Sequence, residues 1–272
     1  MKNVLLLFTA TILILAGCNT TEPAPQVVLG YFTPYQTCPE YLTGQIESVT
    51  ETNYWAVEEN GTYIKGAVIS KAGRDSLNWS ADFKARFDEN GIMTSLDYFT
   101  ESGIPRGWVI ESTEGLWRSS TWWYNDTAWT KYNLFYNDLS HYKSAERIRV
   151  KDNKIINSYN YVTDDKGNII SAEVLDTLGI VTGKFTFKIN DKNLVEKYSD
   201  FSATDSLVYE MRNSFGEDGF YIKSESYDGS NKLVHTIEME YTKYDENGNW
   251  LTALISRDGK VFGIVERVYT YY

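Results

Sequence analysis

The chain has 272 residues, a formal net charge of −11 and a pI near 4.8, with 42% hydrophobic and 23% charged residues. That apolar fraction supports a buried core and excludes a wholly disordered chain. The acid excess excludes a nucleic-acid partner, which needs a basic face. Aromatics make up 15% of the chain, led by 21 tyrosines, against only 2 cysteines and 2 histidines for redox or metal chemistry.

The first element is a signal. Lys2 supplies a positive start, Val4 to Leu15 is apolar except for Thr9 and Thr11, and small Ala16 and Gly17 precede Cys18. The run is shorter than the ~20 residues of a spanning helix and fits a cleaved signal peptide over 1–17. Leu15-Ala16-Gly17-Cys18 resembles the lipobox of bacterial lipoproteins. The resemblance implies cleavage before Cys18, a diacylglyceryl thioether on its sulfur and a fatty acyl group such as palmitate on its amine. An ordinary cleaved signal and an uncleaved anchor are the alternatives. Several acyl chains give a stable hold on a membrane, where one gives only a marginal one. Under the enterobacterial sorting rule, Asn19 in place of Asp implies the outer membrane. Residues 18–27, with two prolines, read as an extended lipidated tether. Residues 28–272 read as one repeat domain. With Cys18 lipidated, Cys38 has no intramolecular partner and reads as a small buried hydrophobe.

Three turn signals recur along that domain: Asp88-Glu-Asn-Gly91, Asp164-Asp-Lys-Gly167 and Asp245-Glu-Asn-Gly248. Their origins lie 76 (164 − 88) and 81 (245 − 164) residues apart. Each is followed by a second glycine (Gly103, Gly179, Gly259) and, four residues on, a third (Gly107, Gly183, Gly263). Asp bonds its own backbone at a turn, and Gly takes positive φ without steric cost. The unit reads as turn, strand, turn, strand. Asn60-Gly61, Asp152-Asn153, Asn190-Asp191, Asp218-Gly219 and Asp228-Gly229 add further turns.

Between turns the apolar period is two. Phe185, Phe187 and Ile189 alternate with Lys184, Thr186 and Lys188; Ile237, Met239 and Tyr241 alternate with Glu238, Glu240 and Thr242. In Arg147-Ile-Arg-Val-Lys151 the charges take one face and the aliphatics the other. Such strands have one wet face. The predicted fold is all-β: an antiparallel meander of repeated β-hairpins, as an extended sheet, an open barrel or a small propeller. Outside the signal no segment keeps a helical period; Asp75 to Phe87 comes nearest. The final strand, Val265 to Tyr272, lacks strong edge protection and is expected to pair internally or with a partner.

Tyr244-Asp245-Glu246-Asn247-Gly248-Asn249-Trp250 is similar to the YD (Rhs-type) repeat, a Tyr-Asp pair, two variable positions and Gly-Asn. Phe87 stands for the aromatic before Asp88, whereas Thr163 and Ile92 depart from the pattern. Leu42-Thr-Gly-Gln-Ile-Glu-Ser-Val-Thr50 resembles the opening of YD-like bacterial lipoproteins of unassigned function. The likeness spans residues 40–272 and implies local hairpin geometry.

Half of the tryptophans lie in one stretch, Trp117 to Tyr136, which holds Trp117, Trp122, Trp123, Tyr124 and Trp129. These rings fit a ligand platform, such as one for glycans, or the core of a sheet. Adjacent Trp122 and Trp123 must point to opposite faces of a strand, so one of them leaves the core. His141 and His235 have no second ligand at metal spacing, and no nucleophile or phosphate-loop motif is present. No catalytic residue, metal or cofactor is therefore assigned. The leading reading is a membrane-anchored, non-enzymatic binding or scaffold lipoprotein, with a glycan or a protein as the partner to be expected. The alternative is a carbohydrate-binding or carbohydrate-active cell-surface protein.

Overall fold

The structure is a computed structural model that describes residues 26–29, 40–77, 82–99 and 106–272. The expected signal, Cys18, Cys38 and Gly103 lie outside the described residues.

The strands follow from one recurring turn. At Asp88, Asn137, Asp164, Asp176, Asn190, Ser202, Gly216, Asp228 and Asp245, the first residue donates its N–H to the fifth residue's carbonyl. Its own carbonyl accepts from the fourth residue. Except at Gly216, the first side chain also accepts from the backbone N–H two and four residues on, as Asp164 does at 2.9 Å from both Lys166 and Asn168. The fourth residue takes positive φ: Gly91, Gly167, Gly179, Gly219 and Gly248, but also Ser140, Asn193, Asp205 and Asn231. Asn and Ser supply the same acceptor as Asp, so the turn outlives the Asp-x-x-Gly signature.

These turns separate β1 (Gln26–Leu29), β2 (Glu40–Thr43), β3 (Ile46–Glu59), β4 (Thr62–Val68), β5 (Phe83–Phe87), β6 (Met93–Tyr98), β7 (Arg106–Thr113), β8 (Leu116–Tyr124), β9 (Thr127–Tyr136) and β10 (Tyr142–Arg149). They continue through β11 (Lys154–Thr163), β12 (Ile169–Leu175), β13 (Val181–Ile189), β14 (Val195–Ser202), β15 (Leu207–Phe215), β16 (Tyr221–Asp228), β17 (Leu233–Tyr244), β18 (Trp250–Arg257) and β19 (Lys260–Tyr271).

β3 pairs with both β4 and β5, each strand from β5 onward pairs antiparallel with the next, and β19 pairs with β3 to close a barrel. The expected meander is therefore present, but as a closed ring rather than an extended sheet, an open barrel or a propeller. Closure comes from the register Gly263↔Trp55 through Tyr271↔Ile46. It also gives the last strand its internal partner. Seventeen described strands make sixteen staves, because β4 pairs with the far half of β3 and β5 with its near half. At the break between them, Asn53 O accepts from Ile69 N at 2.8 Å and Asn53 N donates to Asp82 at 2.9 Å. Most ladders carry one register shift, and such bulges strengthen twist and curvature.

The turns at 164, 190 and 216 lie at one rim (here the upper), and those at 176, 202 and 228 at the lower rim. Both sets recur every 26 residues (190 − 164, 216 − 190, 202 − 176, 228 − 202). The repeat is thus one hairpin, and the 76- and 81-residue spacings are three such units. The third glycines are not turn residues. Gly107, Gly183 and Gly263 lie inside strands, where an added Cβ would meet a neighbouring carbonyl, Leu96 O, Phe201 O or Tyr54 O, at 2.4, 3.2 and 3.3 Å.

The inner face is apolar. Phe185, Tyr159, Ala172 and Trp250 are fully buried in one cluster that runs from β2 around the barrel. Two excursions enter from the wall. The β1–β2 ribbon reaches in at the upper rim: Leu42 joins the core, and Thr43 is clamped by Asn249, whose Oδ1 accepts its N–H at 2.8 Å and whose Nδ2 donates to its carbonyl at 2.7 Å. The second is α1 (Lys71–Leu77), N-capped by Ser70 at 3.1 Å. Gly73 of α1 abuts inward-facing Trp55, and the carbonyl of Leu77 accepts from Arg257. Among the described residues the helix is Lys71–Leu77, and Phe83–Phe87 of the Asp75–Phe87 candidate is a strand.

Candidate functional site

Strand parity sorts the aromatic stretch onto two surfaces. Trp108, Trp122 and Tyr132 share the inner face through the pairs Trp108↔Trp122 and Ser120↔Tyr132. Ring centroids link Tyr98 to Trp122 at 5.9 Å, Trp122 to Trp108 at 5.1 Å, Trp108 to Tyr132 at 5.8 Å and Tyr132 to Tyr159 at 6.2 Å. The result is a continuous aromatic band across β6–β11. A guanidinium lies over each part of it: Arg106 is 5.7 Å from the Tyr98 ring and Arg147 is 5.8 Å from the Tyr132 ring.

Arg147 reverses an expectation. It pairs with inward Tyr132 and Asn157, while Ile148 and Val150 lie on the outer side. In this strand Arg147 faces in and Ile148 and Val150 face out, because Ala145, fully buried, fixes the inner parity. Four buried side-chain atoms along the band have no hydrogen-bond partner: Arg106 Nε, Ser120 Oγ, Arg147 Nε and Asn157 Oδ1. Ser120 is only 1% exposed. These residues were outside the sequence candidates, although two-residue counting from Trp122 places Ser120 beside it on the inner face.

The five candidate aromatics separate. Trp117 and Trp122 are half-buried against the core. Trp123, Tyr124 and Trp129 gather at the lower rim, 38%, 39% and 55% exposed. Trp123 projects outward between Gly107 and Ala128, which leave its faces uncrowded. Trp129 is the extra residue of a bulge between Thr130 and Ala128, and its ring meets Tyr124 edge-on at 5.9 Å.

The outer wall is charged along its length. Lys131 meets Glu111 at 3.3 Å, Lys223 meets Glu225 at 2.7 Å, and Glu210 is held by Lys197 at 2.8 Å and Arg212 at 2.6 Å. Burial alone would raise the Glu210 carboxyl; Lys197, Arg212 and Ser199 outweigh it and hold it below the ordinary range. The upper rim adds an exposed acid at the second position of each five-residue turn: Glu89, Asp138, Asp165, Asp191, Glu217 and Glu246. The lower-rim turns carry Thr177, Ala203 and Gly229 there. Among the described residues no three His, Cys, Asp or Glu side chains form a metal-sized group.

No family model and no curated protein sequence matches the chain. Solved structures similar to it include a porin-like protein from Bacteroides uniformis, 9% identical, with a TM-score of 0.49, over 83% of this chain and 96% of that one. A porin-like protein from Bacteroides vulgatus gives 9% identity and a TM-score of 0.37, over 84% and 98%. A TcdB2-TccC3-Cdc42 structure gives 7% and 0.32, over 89% of this chain and 16% of that one.

Proposed function

We propose that the protein is a membrane-tethered, non-enzymatic binding module, a water-exposed barrel held at the outer membrane by acylated Cys18. The polarity of the two wall faces carries this reading. A membrane-spanning barrel needs an apolar outer band ~25 Å tall, and each midplane Lys or Arg costs ~2–4 kcal/mol there. This wall carries Lys131, Lys197, Arg212 and Lys223 outward and the core rings, such as Trp108, Tyr132 and Phe185, inward. Such a body resides in water, and a membrane hold must come from the tether. The chain enters at the upper rim, where Gln26 pairs opposite Thr43. Eight Cα-to-Cα steps (26 − 18) lead to it from Cys18, a reach of at most about 29 Å. The upper rim is then the membrane-proximal one.

Metabolic labelling with a radioactive fatty acid tests this. The wild-type chain takes up label and fractionates with membranes; Cys18→Ser loses the label and appears as a folded, detergent-free protein. A Cys18→Ser chain that still needs detergent to stay dispersed contradicts the reading.

A second reading, glycan binding, is favoured by the exposed Trp123, Tyr124 and Trp129 at the membrane-distal rim. Glycan-array binding that disappears in Trp123→Ala and Trp129→Ala supports it; an empty array removes it.

A further inference from the structure

We propose that the lower-rim row Arg106–Tyr124–Trp129 binds an acidic oligosaccharide and reads the carboxylate of a uronic acid. The inference rests on the glycan reading of the rim aromatics and names the class of sugar they take. Three adjacent strands build the row. Arg106 of β7 stands directly opposite Tyr124 of β8, and Trp129 bulges out of β9 so that its ring meets Tyr124 at 5.9 Å. Strands lie ~4.8 Å apart, so the row runs about 10 Å from β7 to β9, enough for a short run of sugar rings. The rings are open to water, with Trp129 55% and Tyr124 39% exposed, unlike the packed Trp108 and Tyr132. Their planes meet at 82° and form a corner. The C–H face of a pyranose covers such a ring while its hydroxyls stay in water.

The charge comes from Arg106. Its guanidinium lies 5.7 Å from the ring of Tyr98, its partner on β6, and its Nε is buried without an acceptor. Among the described residues no carboxylate forms an ion pair with it, whereas six other arginines each have one. Arg147 also lacks one, but it lies over core Tyr132, away from the rim. An unpaired guanidinium offers a planar fork that matches a carboxylate in two parallel bonds. A hexuronate carries its carboxylate on C5, at the edge of the ring. A sugar stacked on Tyr124 therefore extends that group sideways toward β7, while the next sugar meets Trp129. The rim suits an anion in spite of the net charge of −11. Where the upper-rim turns place an acid, the lower-rim turns carry Thr177, Ala203 and Gly229. Asp152 is held by Arg149 at 3.1 Å, and Asp126 is exposed at the β8–β9 tip.

The test is calorimetric titration of the protein with trigalacturonate and with its methyl ester, which keeps the ring faces and removes the charge. The expected result is saturable binding of both, at least ten-fold tighter for the acid. Arg106→Met is expected to bring the acid to the affinity of the ester and to leave the ester unchanged. Should Arg106→Met fail to fold, Arg106→Lys, which keeps the charge without the planar fork, takes its place with an expected several-fold loss of the preference. Trp129→Ala is expected to weaken acid and ester alike. Equal binding of acid and ester that Trp129→Ala abolishes overturns this inference and leaves the glycan reading standing. An acid preference that survives the Arg106 substitution also overturns it. Binding of neither sugar by the wild-type chain overturns it as well, and the array then decides the glycan reading by itself.

Discussion

Arg267 donates to Glu51 at 2.9 Å across the closing ladder, although 216 residues separate them in the chain. Both side chains are nearly sealed from water, and Arg267 also bonds Glu40 of the inner ribbon while lying 3.8 Å from the Trp250 ring. One cation thus ties three elements: the first barrel strand, the last, and the ribbon between them.

Removing that cation strands two enclosed carboxylates. Arg267→Met is expected to lose about 3–5 kcal/mol in chemical denaturation. Glu51→Gln is expected to cost far less, because Arg267 keeps Glu40. Burial pushes the Glu51 carboxyl up, with Glu40 and Asp82 adding to it against Arg267. A raised acid subtracts stability as pH climbs from its unfolded value of 4.5 through its folded one. Glu51→Gln should therefore compare better with the wild type at pH 8 than at pH 4, measured as denaturation midpoints at both.

The turn anchors make a second case. Asp164→Asn keeps an acceptor in the place where Asn137 and Asn190 already serve, and is expected to melt within a degree or two of wild type. Asp164→Ala frees two backbone donors and should cost about 1–2 kcal/mol. The Asn168 amide, then the backbone donors, hold the Asp164 carboxyl below its usual 3.8. The stability it gives is present above that value and lost as pH falls through its folded value, so Asp164→Asn should flatten the acid limb of the stability curve.

Two glycines of the same turn type should differ. Gly179→Ala meets nothing within 4 Å and carries only the strain of φ +78, about 1–2 kcal/mol. Gly167→Ala carries that strain at φ +86 and also places a methyl 2.8 Å from the His141 ring of the adjoining turn. Paired thermal melts are expected to rank Gly167→Ala as the more damaging.

Deleting residues 245–272 removes β18 and β19 and reopens the ring, exposing the paired edges of β3 and β17. The remaining strands should lose their cooperative melt and self-associate. A truncated chain with the full-length melting curve and a monomeric sedimentation profile would contradict the closed ladder.

Much of this architecture is legible in the sequence, down to the inward faces of Phe185–Ile189 and Ile237–Tyr241. What is not legible has physical causes. The 26-residue period is hidden because the turn needs a side-chain acceptor, and Asn137, Asn190 and Ser202 fill that role as well as aspartate. Closure is hidden because it rests on pairing between residues 46–55 and 263–271, which no local pattern encodes. Arg147 misleads because alternation shows that a strand has two faces, not which is inside. The inner face is set by the buried Ala145 and by the Tyr132 ring that receives the guanidinium.

The ladder that joins Ile46 to Tyr271 has a temporal meaning as well. During synthesis the first stave waits for the last, so the nascent polypeptide is a growing curved sheet with its tyrosines and tryptophans uncovered until the final residues emerge. Non-local pairing of this kind folds slowly. Completion of the ring therefore waits on the pairing of β19 with β3.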